Sequence, residues 1–304
     1  MPNVVETWSL TKYYGSRMGI EDLTLDIREG ETFGFLGPNG AGKTTTIRLL
    51  LDHIRPTRGH AAVFGLDPRH DGTEIRSQLG YIPGDIPSNM SVTGHEILRA
   101  AEGLRAGSVD WRYVYQIAER LESELTVQVR KLSRGNRQKI AIISAIMHKP
   151  RLLIADEPTG GLDPLMQQEF NAIIRESSGD GMSIFLSSHI LSEVEHLCDR
   201  VGMIRGGTLM EVAEVSELKH RSSKSIEIRF AENVGAREIG EIEGFRLLES
   251  GPGFVRGTVT GSLDRLIKSI SRFEILDLVT DEPSLEDIVL SFYGPEHGAT
   301  EGQK

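Results

Sequence analysis

Apolar residues along the chain fall into two kinds of run. Short, nearly unbroken stretches at 31–36, 151–155, 183–186 and 201–205 have the pattern of strands buried on both faces, as in a parallel sheet. Between the last three, residues 164–175 and 191–198 place apolar positions three and four apart, the period of helices that cross from one parallel strand to the next. Briefer β-rich segments at 4–10, 23–27 and 59–64 are bounded by turn residues and predict an antiparallel patch beside that core. Helical periodicity returns at 93–102 and 111–125, which predicts a helical insertion over about residues 88–150. The pattern specifies an α/β fold.

After Gly207 the character changes. Residues 212–224 are polar, poor in aromatics and read as a linker. Strand 226–230, helix 234–242, strands 245–249 and 254–260, helix 262–272 and strand 274–280 then follow, the β-α-β-β-α-β order of ferredoxin-like domains. A last helix over 284–292 would open on Ser284, with Asp287 in a weaker variant of the capping box. The expected organisation is a main domain over 1–211, a linker over 212–224, a small α+β domain over 225–293 and a frayed tail over 294–304.

Between the strand at 31–36 and the helical run that follows stands Gly37-Pro38-Asn39-Gly40-Ala41-Gly42-Lys43-Thr44-Thr45, which fits G-x-x-x-x-G-K-[ST]. Glycines let successive backbone N–H groups turn inward around phosphates, and the helix starting near Lys43 aims its positive end at the same anion. Lys43 is placed to reach the β- and γ-phosphates and Thr44 to ligate Mg²⁺. Strand, loop and helix are the setting this motif needs, so the chain reads as a nucleotide-binding protein.

Composition narrows the partners. A net charge of −10 argues against a nucleic acid held through its phosphates. The single cysteine, Cys198, excludes an internal disulfide and fits a buried core position in a reducing compartment. The longest stretches free of charge and proline, such as 140–147, fall far short of the ~20 residues of a spanning helix. The N-terminus lacks a secretory pattern, so a cytoplasmic chain is expected, with any membrane role resting on a second polypeptide.

The apolar run at 151–155 ends in Asp156 and Glu157, at the strand end where open α/β sheets place their ligands. In a nucleotide enzyme Asp156 would hold Mg²⁺ through water, and Glu157 would orient or deprotonate the attacking water. Upstream, Leu132-Ser133-Arg134-Gly135-Asn136 resembles the L-S-G-G-Q signature of ATP-binding-cassette (ABC) ATPases, with Ser133 and Gly135 matching and Arg134 and Asn136 departing. Ser133 can cap the helix there, leaving free N–H groups to face an anion. In that family the segment holds the γ-phosphate of ATP bound to the opposite subunit. Gly161-Leu162-Asp163-Pro164 resembles the family's D-loop, with Asp163 its acid. His189 resembles its switch histidine, a γ-phosphate sensor. Tyr14 stands where an aromatic stacks on adenine, with Tyr13 as a competitor.

One position departs further. The family's glutamine after the strand that follows the first helix contacts Mg²⁺ and faces the membrane partner; here the run Tyr81-Ile82-Pro83-Gly84-Asp85 puts Gly84 in its place. Asp85 either substitutes through a water or is a plain loop acid. The C-terminal region resembles the accessory domain of the drug- and antibiotic-export branch, of which the daunorubicin-resistance ATPase is the familiar type. The resemblance implies an ABC cassette with a phosphate-loop core, antiparallel patch and helical subdomain. It also implies ATP and Mg²⁺, pairing with a second cassette (a copy or a paralogue), a separate membrane permease, and a place on the inner face of the membrane. The alternatives are a soluble ATPase acting on nucleic acid or ribosomes, and an importer ATPase.

Overall fold

The computed structural model describes residues 2–104, 109–221, 224–232, 239, 242–259 and 263–281. Two compact units divide at 213/214.

In the first unit the phosphate loop sits on a six-stranded sheet of order β5-β6-β7-β3-β8-β9. The strands are β3 (Thr32–Leu36), β5 (Leu79–Ile82), β6 (Leu152–Asp156), β7 (Ser183–Ser188), β8 (Arg200–Arg205) and β9 (Thr208–Glu214). Neighbours from β5 through β8 pair in parallel. Every residue of β3, β6 and β7 is buried, as their unbroken apolar runs require. Besides Thr32 and Ser183, which open β3 and β7, the polar residues of these central strands stand at their C-terminal ends: Asp156 closes β6, and Ser187 and Ser188 close β7, all buried. Helices α1 (Lys43–Leu50), α2 (Gly72–Gln78), α6 (Pro164–Gly179) and α7 (Leu191–Leu197) make the connections.

The antiparallel patch has the order β2-β1-β4, with β1 (Asn3–Tyr14), β2 (Arg17–Arg28) and β4 (Arg58–Val63). It is longer than the pattern predicts. Ser9 and Asp22 adopt left-handed φ of 47° and 49°, and the pairing register shifts near them, which breaks the alternation that marks a strand in sequence. Gly59 is required here: its φ is +74° and a Cβ would lie 2.2 Å from the Ser9 carbonyl oxygen.

The helical insertion holds α3 (Gly94–Gly103), α4 (Trp111–Arg120) and α5 (Arg134–Ile146). Thr93 and Glu96 form a full capping box at α3, and Asp110 caps α4, which stops at Arg120 rather than running to 125. Arg120 joins this insertion to α6, with Nε 2.5 Å from Glu169 and a two-pronged contact to Glu176 at 2.6 and 2.8 Å.

Residues 212–221 of the stretch read as linker form the end of β9 and helix α8 (Val215–Arg221). The second unit contains the antiparallel sheet β11-β12-β10-β13, formed by β10 (Lys224–Phe230), β11 (Phe245–Gly251), β12 (Phe254–Val259) and β13 (Ile275–Asp281). Its core joins Ile226, Ile228 and Phe230 to Val255, Val259, Leu266 and Ile270, the last two from helix α9 (Asp264–Ile270). Most of the helix expected at 234–242, and all of that at 284–292, lie outside the described residues. Among the described residues no helix is long and apolar enough to cross a membrane.

Candidate nucleotide site

Backbone shape comes first at this site. Gly37 leaves β3 so close to β8 that a Cβ would lie 2.4 Å from the Ile204 carbonyl oxygen. Gly42 carries a φ of +115° and opens α1 without any side-chain cap, so the N–H groups of the first helical turn have no side chain competing for them. Pro38 and Ala41 brace the loop, the Ala41 N–H donating to the Pro38 carbonyl at 3.1 Å.

Lys43 is buried, and its Nζ donates to the Gly37 and Pro38 carbonyl oxygens at 2.6 and 3.2 Å. The same amine lies 3.3 Å from Glu157 Oε1, which in turn lies 3.3 Å from His189 Nδ1. Phosphate loop, end of β6 and end of β7 therefore converge on one carboxylate oxygen. Glu157 holds a left-handed φ of 49°, uncommon for a residue with a Cβ. Two bonds fix it there: its N–H to the Ser187 carbonyl at 3.0 Å, and the Gly160 N–H to its own carbonyl at 3.2 Å. Beside it Asp156 is buried, with Oδ1 accepting from Ser187 Oγ at 2.8 Å. Burial, followed by the charge of Asp156, pushes the nearby Tyr81 phenol above its usual range.

A cavity of about 410 Å³ opens over the loop, and Tyr14, Asn39, Gly40, Gly42, Lys43, Thr44, Thr45 and Glu157 line it. Tyr13 does not; its hydroxyl donates to Glu21 Oε1 at 2.8 Å, which settles which aromatic faces the cavity. Sequence reasoning missed Arg17, Met18 and Arg48, which line it too. The first two flank the turn after Tyr14, and Arg48 sits one helical turn beyond Thr44 and Thr45, so their nearness to predicted residues was a usable signal.

The remaining predicted residues stand outside the cavity lining. Ser133 caps α5, accepting from the Asn136 N–H at 3.2 Å. Gly135 packs on Gly161, and Arg134 lies against Gly160 and Gly161. Asp163 Oδ1 caps α6, accepting from the Leu165 and Met166 N–H groups at 3.1 and 3.0 Å. Gly84 comes to the end of β6: a Cβ there would lie 3.0 Å from the Asp156 carbonyl oxygen. Asp85 is exposed and does not line the cavity.

The ABC transporter family model matches residues 20–160, from within β2 to just short of the D-loop. The chain is 34% identical to the bacitracin transport ATP-binding protein BcrA of Bacillus licheniformis, over 97% of this chain and 98% of that one. It belongs to the ABC transporter ATP-binding proteins. A second BcrA, from Enterococcus faecalis, is 36% identical over 79% of both chains. Among solved structures, an ATP-binding subunit of an ABC transporter aligns over 71% of this chain and 92% of its own, with a TM-score of 0.65 and 29% identity. A dimeric bacterial ABC transporter cassette covers 69% of this chain and 98% of its own with a TM-score of 0.62; at 20% identity it shows the shared fold. This ABC protein is an ATP-binding, ATP-hydrolysing subunit of the drug- and antibiotic-export branch, and the expectation of an exporter ATPase is borne out over a soluble non-transport one.

Proposed function

We propose that two cassettes of this type close head-to-tail around two ATP molecules and drive export through a separate membrane permease. Each site would join the phosphate loop of one chain to Ser133, Arg134, Gly135 and Asn136 of the other, whether the partner is a copy or a paralogue. The exposure of Ser133 and Arg134, away from the chain's own cavity, supports this. The bacitracin-transport relatives support an antibiotic-class cargo, and the permease would hold the chain at the inner face of the membrane.

The observation that carries the catalytic reading is Glu157 Oε1, 3.3 Å from both Lys43 Nζ and His189 Nδ1. Tyr14 stacks on the adenine, and backbone N–H groups within the 37–45 loop, together with Lys43, neutralise the phosphates. Glu157 orients and deprotonates the water that attacks the γ-phosphorus, the bond to the ADP oxygen breaks, and His189 reads the γ-phosphate. Asp163 holds the D-loop in register through its helix cap. The donor set suits Mg²⁺, a hard cation that takes oxygen ligands and keeps several waters: Asp156 engages one oxygen with Ser187, and Thr44 lines the cavity. Thr44 and Asp156 would hold it, and it would supply charge neutralisation at the phosphates.

The four-stranded sheet order and α9 support a ferredoxin-like accessory domain after a cassette ending near residue 211. The decisive experiment is Glu157→Gln. It keeps shape and removes charge, so ATP should still bind while hydrolysis all but stops and an ATP-bound dimer appears on size-exclusion chromatography. A monomer hydrolysing at the wild-type rate refutes the assignment.

A further inference from the structure

Beneath the convergence of Glu157 and His189 lies a second carboxylate that the reaction does not use. Glu193, in the first turn of α7, is more than nine-tenths buried, as are Thr159 and Ser188. Ser188 Oγ donates to Glu193 Oε2 at 2.6 Å, and Thr159 Oγ1 donates to Glu193 Oε1. Among the described residues no cation forms a salt bridge with Glu193. A buried carboxylate is costly unless hydrogen bonds satisfy it, and an apolar residue would fill the same space without that cost. What the carboxylate adds is a constraint: its two oxygens grip two loops at once.

Those loops carry the reacting side chains. Thr159 lies two residues after Glu157, whose left-handed backbone is held by Ser187 and Gly160. Ser188 directly precedes His189, and its hydroxyl also accepts the Ile190 N–H at 2.9 Å, which fixes the turn beyond the histidine. We infer that Glu193 is a positioning residue that locks the Glu157 loop and the His189 loop into one register, so that both side chains meet at the γ-phosphate. The inference rests on the proposed roles of Glu157 and His189. Glu193 grips the end of β7, the strand beside β3, but does not line the cavity over the phosphate loop, so its removal should disturb placement of the water far more than ATP binding.

The test measures steady-state ATP hydrolysis, ATP affinity by fluorescent-analogue titration and melting temperature, on the full chain with its permease. Glu193→Ala should lower kcat by about tenfold to a hundredfold, the scale of an ångström-sized misplacement, while ATP affinity stays within about twofold of wild type. Glu193→Gln should recover most of the rate. It keeps one acceptor, and the Ser188 or Thr159 hydroxyl can rotate to accept from the new amide. Thr159→Val, which keeps the volume, should lower kcat in the same way, and the double variant T159V/E193A should fall no lower than E193A. A wild-type kcat in both E193A and T159V overturns the inference, as does an equal loss of kcat and ATP affinity, or multiplicative effects in the double variant. Should E193A fail to fold, T159V alone decides by the same criteria. Run beside them, an inactive E157Q with a fully active E193A overturns this inference alone, whereas a fully active E157Q overturns both it and the catalytic reading.

Discussion

Gly135 and Gly161 touch so closely that a Cβ on the first would lie 2.4 Å from the carbonyl oxygen of the second. Backbone meets backbone there, with no flexible side chain to move aside. The segment that opens α5 and the turn before α6 are thus fitted to each other within one chain. Gly135→Ala should leave the fold and ATP binding intact, since both segments sit at the surface, but reduce kcat at least about tenfold by pushing the two loops apart. Steady-state hydrolysis alongside nucleotide titration checks this; an unchanged kcat would mean the contact is incidental to turnover.

Removing the Lys43 amine should act on binding itself. A charged hydrogen bond in a desolvated phosphate site is worth about 1.5–3 kcal/mol, so Lys43→Ala is expected to weaken ATP about tenfold to a hundredfold. Equilibrium titration with a fluorescent ATP analogue measures it.

The two neighbouring tyrosines should separate cleanly. Tyr14 lines the cavity, whereas the Tyr13 hydroxyl is engaged by Glu21. Stacking of a base on an aromatic ring contributes about 1–3 kcal/mol, so Tyr14→Ala should cost at least about fivefold in ATP affinity. Tyr13→Phe should bind ATP as wild type does. The same titration decides, and a reversal of the pair would place the adenine elsewhere.

Strand β3, the phosphate loop and the paired acids of β6 were legible because their signals are local: unbroken apolar runs, glycines where the backbone must turn, acids at a strand end. The antiparallel patch was legible only in fragments, since the bulges at Ser9 and Asp22 interrupt its alternation. The meeting of Lys43, Glu157 and His189 followed in outline from motif order. Their sharing of a single oxygen did not, because it depends on the left-handed turn at Glu157. Glu193 was invisible: one acid in the first turn of an amphipathic helix reads as an ordinary helix-start residue, and only burial reveals otherwise. The stretch at 212–224 looked like a linker on composition, yet tertiary pairing along the sheet edge made its first residues strand.

A pH effect follows from the link between the helical insertion and α6. Hydrogen bonds from Arg120 hold the Glu176 carboxyl below its ordinary value of 4.5. A lowered carboxyl stabilises the fold above its unfolded pKa, and that contribution fades as pH falls through the lower folded value. Both partners are substantially exposed, so the Arg120–Glu176 contact is worth about 0.5–1 kcal/mol. Urea denaturation should find Glu176→Gln less stable than wild type by about that amount at pH 7, with the gap narrowing below about pH 4. A gap that widens on acidification would contradict the assignment.

The Lys43 amine, holding the Gly37 and Pro38 carbonyls, bears on how long a nucleotide stays. With Lys43 in its proposed role, an arriving phosphate would displace those oxygens as it gains the lysine, so the net gain would be the difference between two sets of hydrogen bonds. The loop is in effect a competitor tethered to its own receptor. Such a site shortens residence time as it lowers affinity, and for a motor that must discharge ADP on every stroke, prompt release matters as much as capture.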